Sequence, residues 1–151
     1  MHVDLKALFN LPYLHLETPE EWEVRRLPQS RTAVSCCPVD ELILGDDDQI
    51  RHFVTIAETS TSHDSWVDRV SKIMKPRLGF GSLELEVRCL AGKRCLWAEW
   101  TDGVASMESW FTEPSATGAV IEVCAGVLGS WDFAPRADEV RRVLASVRFD
   151  S

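Results

Sequence analysis

The chain has 151 residues, a common length for one domain, with 45% hydrophobic and 26% charged residues and a formal net charge of −8. A domain of this size buries roughly 70% of the surface its unfolded chain exposes, so it folds without staples. The basic residues are scattered and the one dense charged run is acidic (Asp46, Asp47, Asp48), which argues against nucleic acid and anionic membranes as partners.

The first fifty residues give weak strand signals. Leu14 and Leu16 alternate with polar neighbours, and Thr18-Pro19 ends that run. Trp22 to Leu27 and Thr32 to Cys37 are two further candidate strands, and Gly45 to Gln49 is expected as a polar acidic loop. Phe53 to Ala57 follows as a strand, with Phe53 and Thr55 on one side and Val54 and Ile56 on the other.

Between Thr59 and Gly81 the period changes. Trp66, Val67, Val70, Ile73 and Met74 share one helical face, and Asp68, Arg69, Lys72 and Lys75 are expected on the other. Ser62 or Asp64 is the expected cap, and Pro76 the expected end.

The second half reads as an antiparallel meander. Leu83, Leu85, Val87 and Cys89 alternate with Glu84, Glu86 and Arg88, predicting one buried and one charged face. Turns at Ala91-Gly92-Lys93, Thr101-Asp102-Gly103 and Pro114 to Gly118 lead into Arg94 to Trp100, Val104 to Phe111 and Ala119 to Leu128. A closing helix starts near Pro135, and Val140, Val143, Leu144 and Val147 form its apolar stripe. Segregated strands and helices predict an α+β class: an antiparallel sheet flanked by helices, all 151 residues in a single domain.

The order of these elements resembles the PsbP-like superfamily. A Pro-x-x-Trp opening (Pro19, Trp22), a mid-chain amphipathic helix, a four-strand meander with Gly92 and Trp97, and a closing helix before Val147-x-Phe149 carry the likeness from about Leu14 to Phe149. The superfamily includes Mog-type Ran-binding proteins, LpqN-type lipoproteins and Eag-type effector chaperones. The resemblance implies a binding platform without catalysis. The Met1-His2-Val3-Asp4 start lacks a signal-peptide pattern and a lipidation cysteine, unlike the lipoprotein members, and the Eag-type N-terminal segment is not visible. It assigns no functional residue to a numbered position.

The residues themselves yield no catalytic constellation. Ser62-His63-Asp64 has the types of a hydrolase triad, but three consecutive side chains diverge, so a helix cap is the expected role. Glu84 and Glu86 share a strand face with Arg88, which favours a solvated, salt-bridged face over acid–base work. Glu99 lies between Trp97 and Trp100, poised if buried and ordinary if at a sheet edge. His2, His15, His52 and His63 lack metal-ligand spacing. Gly79-Phe80-Gly81 lacks the third glycine and the strand-to-helix context of a dinucleotide loop, and reads as a helix exit. The five cysteines (Cys36, Cys37, Cys89, Cys95, Cys124) are odd in number and lack a CxxC pair, so free, mostly buried thiols in a reducing compartment are expected. The reduced thiols make the cytoplasm the expected location, the cysteine and histidine spacings predict no metal or cofactor, and the lack of an apolar run of about 18 residues predicts no membrane insertion.

The one excess is tryptophan: six residues, of which Trp97 and Trp100 differ in strand parity and should face opposite sides of the sheet. Trp97, Trp100 and Trp110, with Glu84, Glu86 and Asp46 to Asp48, form the expected binding surface for a protein partner. The partner class expected is a secreted effector, such as a type VI secretion cargo, or a toxin, the chain serving as chaperone, adaptor or immunity protein. The alternative is a small molecule or lipid held in an apolar pocket between sheet and helix.

Overall fold

The computed structural model describes residues 2–4, 14–26, 33–43, 52–59, 64–79, 81–116 and 118–149. Period-two alternation builds a seven-stranded antiparallel sheet from β3 (Trp22–Arg26), β4 (Ala33–Pro38), β5 (Phe53–Glu58), β6 (Glu86–Leu90), β7 (Lys93–Thr101), β8 (Ala105–Thr112) and β9 (Ile121–Leu128). The order across the sheet is β3-β4-β5-β9-β8-β7-β6. The last four are the expected meander. A second sheet joins β1 (His2–Asp4), β2 (Leu14–Glu17) and β10 (Arg148–Phe149), with β2 in the middle.

Three helices are described: α1 (Val39–Ile43), α2 (Trp66–Leu78) and α3 (Ala137–Ala145). The two longer ones lie on opposite faces of the large sheet and cover different halves. Val140, Val143 and Leu144 of α3 join Val34, Val54, Ile56, Val123, Ala125 and Val127 in the main core, which Leu14 and Leu16 close from the small sheet. Val70 and Met74 of α2 pack with Leu96, Ala98 and Phe111 under the outer half of the other face. The result is diagonal coverage: α3 lies over the β5–β9 half of its face, α2 over the β7–β8 half of the opposite face.

Several expectations change in detail. The N-cap of α2 is Ser65, whose Oγ accepts from the Asp68 N–H, while Asp64 pairs with Lys72 at 2.7 Å. Pro76 sits inside the helix, which runs on to Leu78. Its missing N–H removes one bond only two residues from the end, where little helix remains to be disrupted. Arg69, expected on the outer side, is buried, donating to the Gly118 carbonyl at 2.5 Å and the Thr59 hydroxyl at 3.1 Å. Val67, expected inside, is exposed.

The largest difference concerns β6. Residues 82–85 are not strand, and Val87 and Cys89 are exposed rather than buried. The alternation is real, but β6 is an edge strand, and nothing among the described residues covers its apolar side. The helix α1 and the strands β1 and β10 were not anticipated, since two to five residues carry too little periodicity to register.

Candidate functional site

Among the described residues, diagonal coverage leaves one half of each face without a helix, and each such half-face holds a cavity. On the α3 side of the sheet, register places Trp97 opposite Trp110 and Glu99 opposite Glu108. The two indoles meet edge to face, with centroids 6.5 Å apart and planes at 63°. Such a pair is stabilised beyond its buried area by roughly 1 kcal/mol. The Arg88 guanidinium lies 3.5 Å above the Trp97 ring and is itself held by Glu86 at 2.9 Å. Glu84, Trp97, Glu99, Trp100, Thr101 and Ser106 line a shallow depression of about 410 Å³.

Charge on this half-face is uneven. Glu99 is exposed, while Glu108, directly across from it, is half-buried. Burial pushes the Glu108 carboxyl above the usual carboxylate range. Arg141 and Arg88 pull it back, Glu99 pushes it further up, and the Trp97 indole again lowers it. Arg141 comes from α3 and also lies 5.2 Å from the Trp131 ring. The rungs therefore offer flat aromatic surface beside carboxylates, with arginines around them.

The α2 side carries the other cavity, about 350 Å³, lined by Phe53, Thr55, Ala57, Arg77, Trp100, Asp102, Met107, Glu122 and Cys124. A polar chain runs along its floor. Arg77 grips Glu122 through two bonds of 2.6 and 2.9 Å, Ser109 Oγ donates to Glu122 at 2.8 Å, and Trp100 Nε1 donates to Ser109 Oγ at 2.9 Å. Ser109 is fully buried, and its hydroxyl is spent within this chain. Burial, reinforced by Glu122, pushes the neighbouring Cys124 thiol up to about 12, so it stays protonated at neutral pH. This floor is built to hold shape. Neither its hydroxyl nor its thiol is set up as a nucleophile.

The expected binding residues are partly gathered. Trp97 and Trp110 touch, Glu86 positions Arg88 over Trp97, and Glu84 lines the same depression. Trp100 points to the opposite face, as its parity predicts, and borders both cavities. Asp46, Asp47 and Asp48 lie outside the described residues, as do Ser62 and His63. His52 is buried, its Nδ1 3.1 Å from Glu41 Oε2. Sequence reasoning missed Glu108 and the Arg77–Glu122 pair. The observed hairpin is centred on Gly103-Val104, which sets Trp110 opposite Trp97 and Glu108 opposite Glu99. Counting outward from the expected turn at Thr101-Asp102-Gly103 gives a different register and misses both pairs. The Arg77–Glu122 pair left no signal.

Comparisons with known proteins give the fold and stop there. No protein-family model and no curated protein sequence matches the chain. Several solved structures are similar, three of them as follows. The Ran-binding protein Mog1p of Saccharomyces cerevisiae aligns with a TM-score of 0.58 at 9% identity, over 98% of this chain and 94% of its own. LpqN of Mycobacterium tuberculosis, involved in cell envelope biogenesis, aligns with a TM-score of 0.54 at 11% identity, over 91% and 83%. A Bacteroides thetaiotaomicron protein aligns with a TM-score of 0.53 at 10% identity over 93% of this chain, which spans only 46% of that protein. The chain has the PsbP-like α+β fold of these proteins. Among the described residues no helix is long and apolar enough to cross a membrane.

Proposed function

We propose that the chain is a non-enzymatic protein-binding module that docks its partner on the half-face around Trp97 and Trp110. One observation carries the reading: a half-buried edge-to-face tryptophan pair, next to a rung of two glutamates, on the half-face that α3 leaves bare. Aromatic anchors beside carboxylates suit a partner that is basic and presents apolar side chains. The likeness to Mog1p, a Ran-binding protein by name, supports protein binding as a use to which this fold is put. Within that reading the chain acts in the cytoplasm as a chaperone or adaptor for a secreted effector, or as an immunity protein against a toxin.

The test is a pull-down from the native host, followed by titration of the captured partner against tryptophan variants. Trp97→Ala and Trp110→Ala should each cost about thirtyfold in affinity, the scale of a hot-spot anchor of about 2 kcal/mol. Trp100→Ala should also weaken binding through the rim of the depression. Folded variants at all three positions that bind as the wild type does would rule this surface out.

A second reading has its own observation. The cavity beside α2, on the half of that face the helix does not cover, has an apolar wall of Phe53, Ala57 and Met107 and the size of a small-ligand site. Native mass spectrometry of freshly purified protein that shows a retained small molecule or lipid, with no protein captured in the pull-down, would move the function there.

A further inference from the structure

The outer edge of β6 offers backbone groups that the docking half-face does not use, beside two of its charged side chains, Glu86 and Arg88. β6 ends the seven-stranded sheet, and its residues 86–89 are exposed. Its hairpin with β7 turns over two residues, Ala91 at φ 51° and Gly92 at φ 81°, between the paired residues Leu90 and Lys93. In such a hairpin the pair flanking the turn exchanges both backbone hydrogen bonds, and the bonded rungs then alternate. Glu86, Arg88 and Leu90 therefore turn their N–H and C=O groups toward β7. Val87 and Cys89 turn theirs outward, where no strand takes them among the described residues.

We propose that two copies of the chain pair β6 against β6, antiparallel, about a two-fold axis at Val87. Two symmetric strands can only bond through their outward-facing residues, which leaves three registers. Val87 opposite Val87 sets Glu86 of each copy across from Arg88 of the other, twice by symmetry. Arg88 opposite Arg88 sets like charges on the axis. Cys89 opposite Cys89 strands Glu86 against the Gly92 turn and Arg88 against Leu90. Only the first register satisfies both charges, and opposite charges across a rung are favourable where like charges are not. It also buries Val87, 53% exposed in the single chain, against its own copy.

The charges already show that they can pair: within one strand, Arg88 Nη2 lies 2.9 Å from Glu86 Oε2, both side chains being exposed. On pairing, each arginine exchanges or shares that partner with the glutamate across the axis. The contact joins two seven-stranded sheets into one continuous sheet. An interface of one short strand per copy lies at the weak end of the size range, so the pairing depends on concentration.

The experiment is sedimentation velocity across a wide concentration range, with charge exchange at the rung. Wild type should associate reversibly. Glu86→Arg alone and Arg88→Glu alone should each weaken association about tenfold, because each puts two like-charged rungs across the axis. The double exchange, Glu86→Arg with Arg88→Glu, should restore it. For a pairing too weak to sediment, Val87→Cys in a Cys89→Ser background should form a covalent dimer under mild oxidation. It should do so much faster than Val104→Cys in the same background, an equally exposed control. A chain that stays monomeric and crosslinks at Val87 no faster than at Val104 overturns the proposal, and Glu86 and Arg88 are then guards against edge pairing. A dimer indifferent to the charge exchange uses another surface and overturns it as well.

Discussion

At the scale of single residues, the five thiols show how far environment separates chemically identical groups. Burial, with a smaller push from Cys37, raises the Cys36 thiol to about 12, and burial raises Cys95 to about 11 and Cys124 to about 12. Cys37 is buried too, on the opposite face of β4 from Cys36. Cys89 is exposed on the edge strand. The reactive species is the thiolate, and burial both blocks access to it and disfavours its formation. Native protein treated with a thiol-specific label at neutral pH should therefore modify Cys89 quickly. The other four should react only at the rate of unfolding, and Cys89→Ser should abolish the fast phase. Unfolding without reductant should release five titratable thiols. Rapid native labelling of Cys36 or Cys124 would show that the core opens far more readily than its packing implies.

At the scale of elements, α2 is bolted to the sheet by two arginines as well as by its apolar face. Arg69 reaches the Gly118 carbonyl ahead of β9, and Arg77 reaches Glu122 within it. Glu122 is only 7% exposed at its side chain, so losing Arg77 would strand a buried carboxylate. Arg77→Met should cost roughly 3 kcal/mol in urea unfolding, and the double variant with Glu122→Gln should recover more than half of that. If the double variant were as unstable as the single one, the lost arginine would matter for its packing on Trp100, 5.3 Å away, and not for its charge. Such pairs explain what sequence could and could not reveal. The meander, the bodies of α2 and α3 and the opposite facing of Trp97 and Trp100 follow from periodicity, a property of neighbours in the chain. Arg69 reads as an outer-face residue and Arg77 gives no signal, because their partners lie 49 and 45 residues away. The apolar side of β6 looked buried because alternation marks a face and says nothing of whether another layer covers it. The small β1-β2-β10 sheet was invisible because it joins both ends of the chain through two or three residues each.

At the scale of the whole molecule, a net charge of −8 and a half-buried Glu108 make stability and binding respond to pH in opposite directions. Burial raises the Glu108 carboxyl above its unfolded value. Between the two values the folded chain holds the proton that the unfolded chain has released. The unfolded state then binds fewer protons, so the free energy of unfolding falls as pH rises through that window. The stabilising effect is complete below the unfolded value and gone above the folded one, and Glu108→Gln should flatten this part of the profile. A basic partner seated against the Glu99–Glu108 rung has the reverse effect, because its positive charge favours the ionised carboxyl. Its affinity should therefore rise with pH across the same window, and Glu108→Gln should remove that rise while leaving contact with the tryptophans intact. Neutralising the exposed acids Glu84, Glu86 and Glu99 should instead slow association and reduce its salt dependence, with dissociation little changed. Urea unfolding and partner titration, each at a series of pH values on wild type and Glu108→Gln, separate these contributions. Affinity that falls with rising pH, or that rises equally in both proteins, would take the partner's positive charge away from this rung.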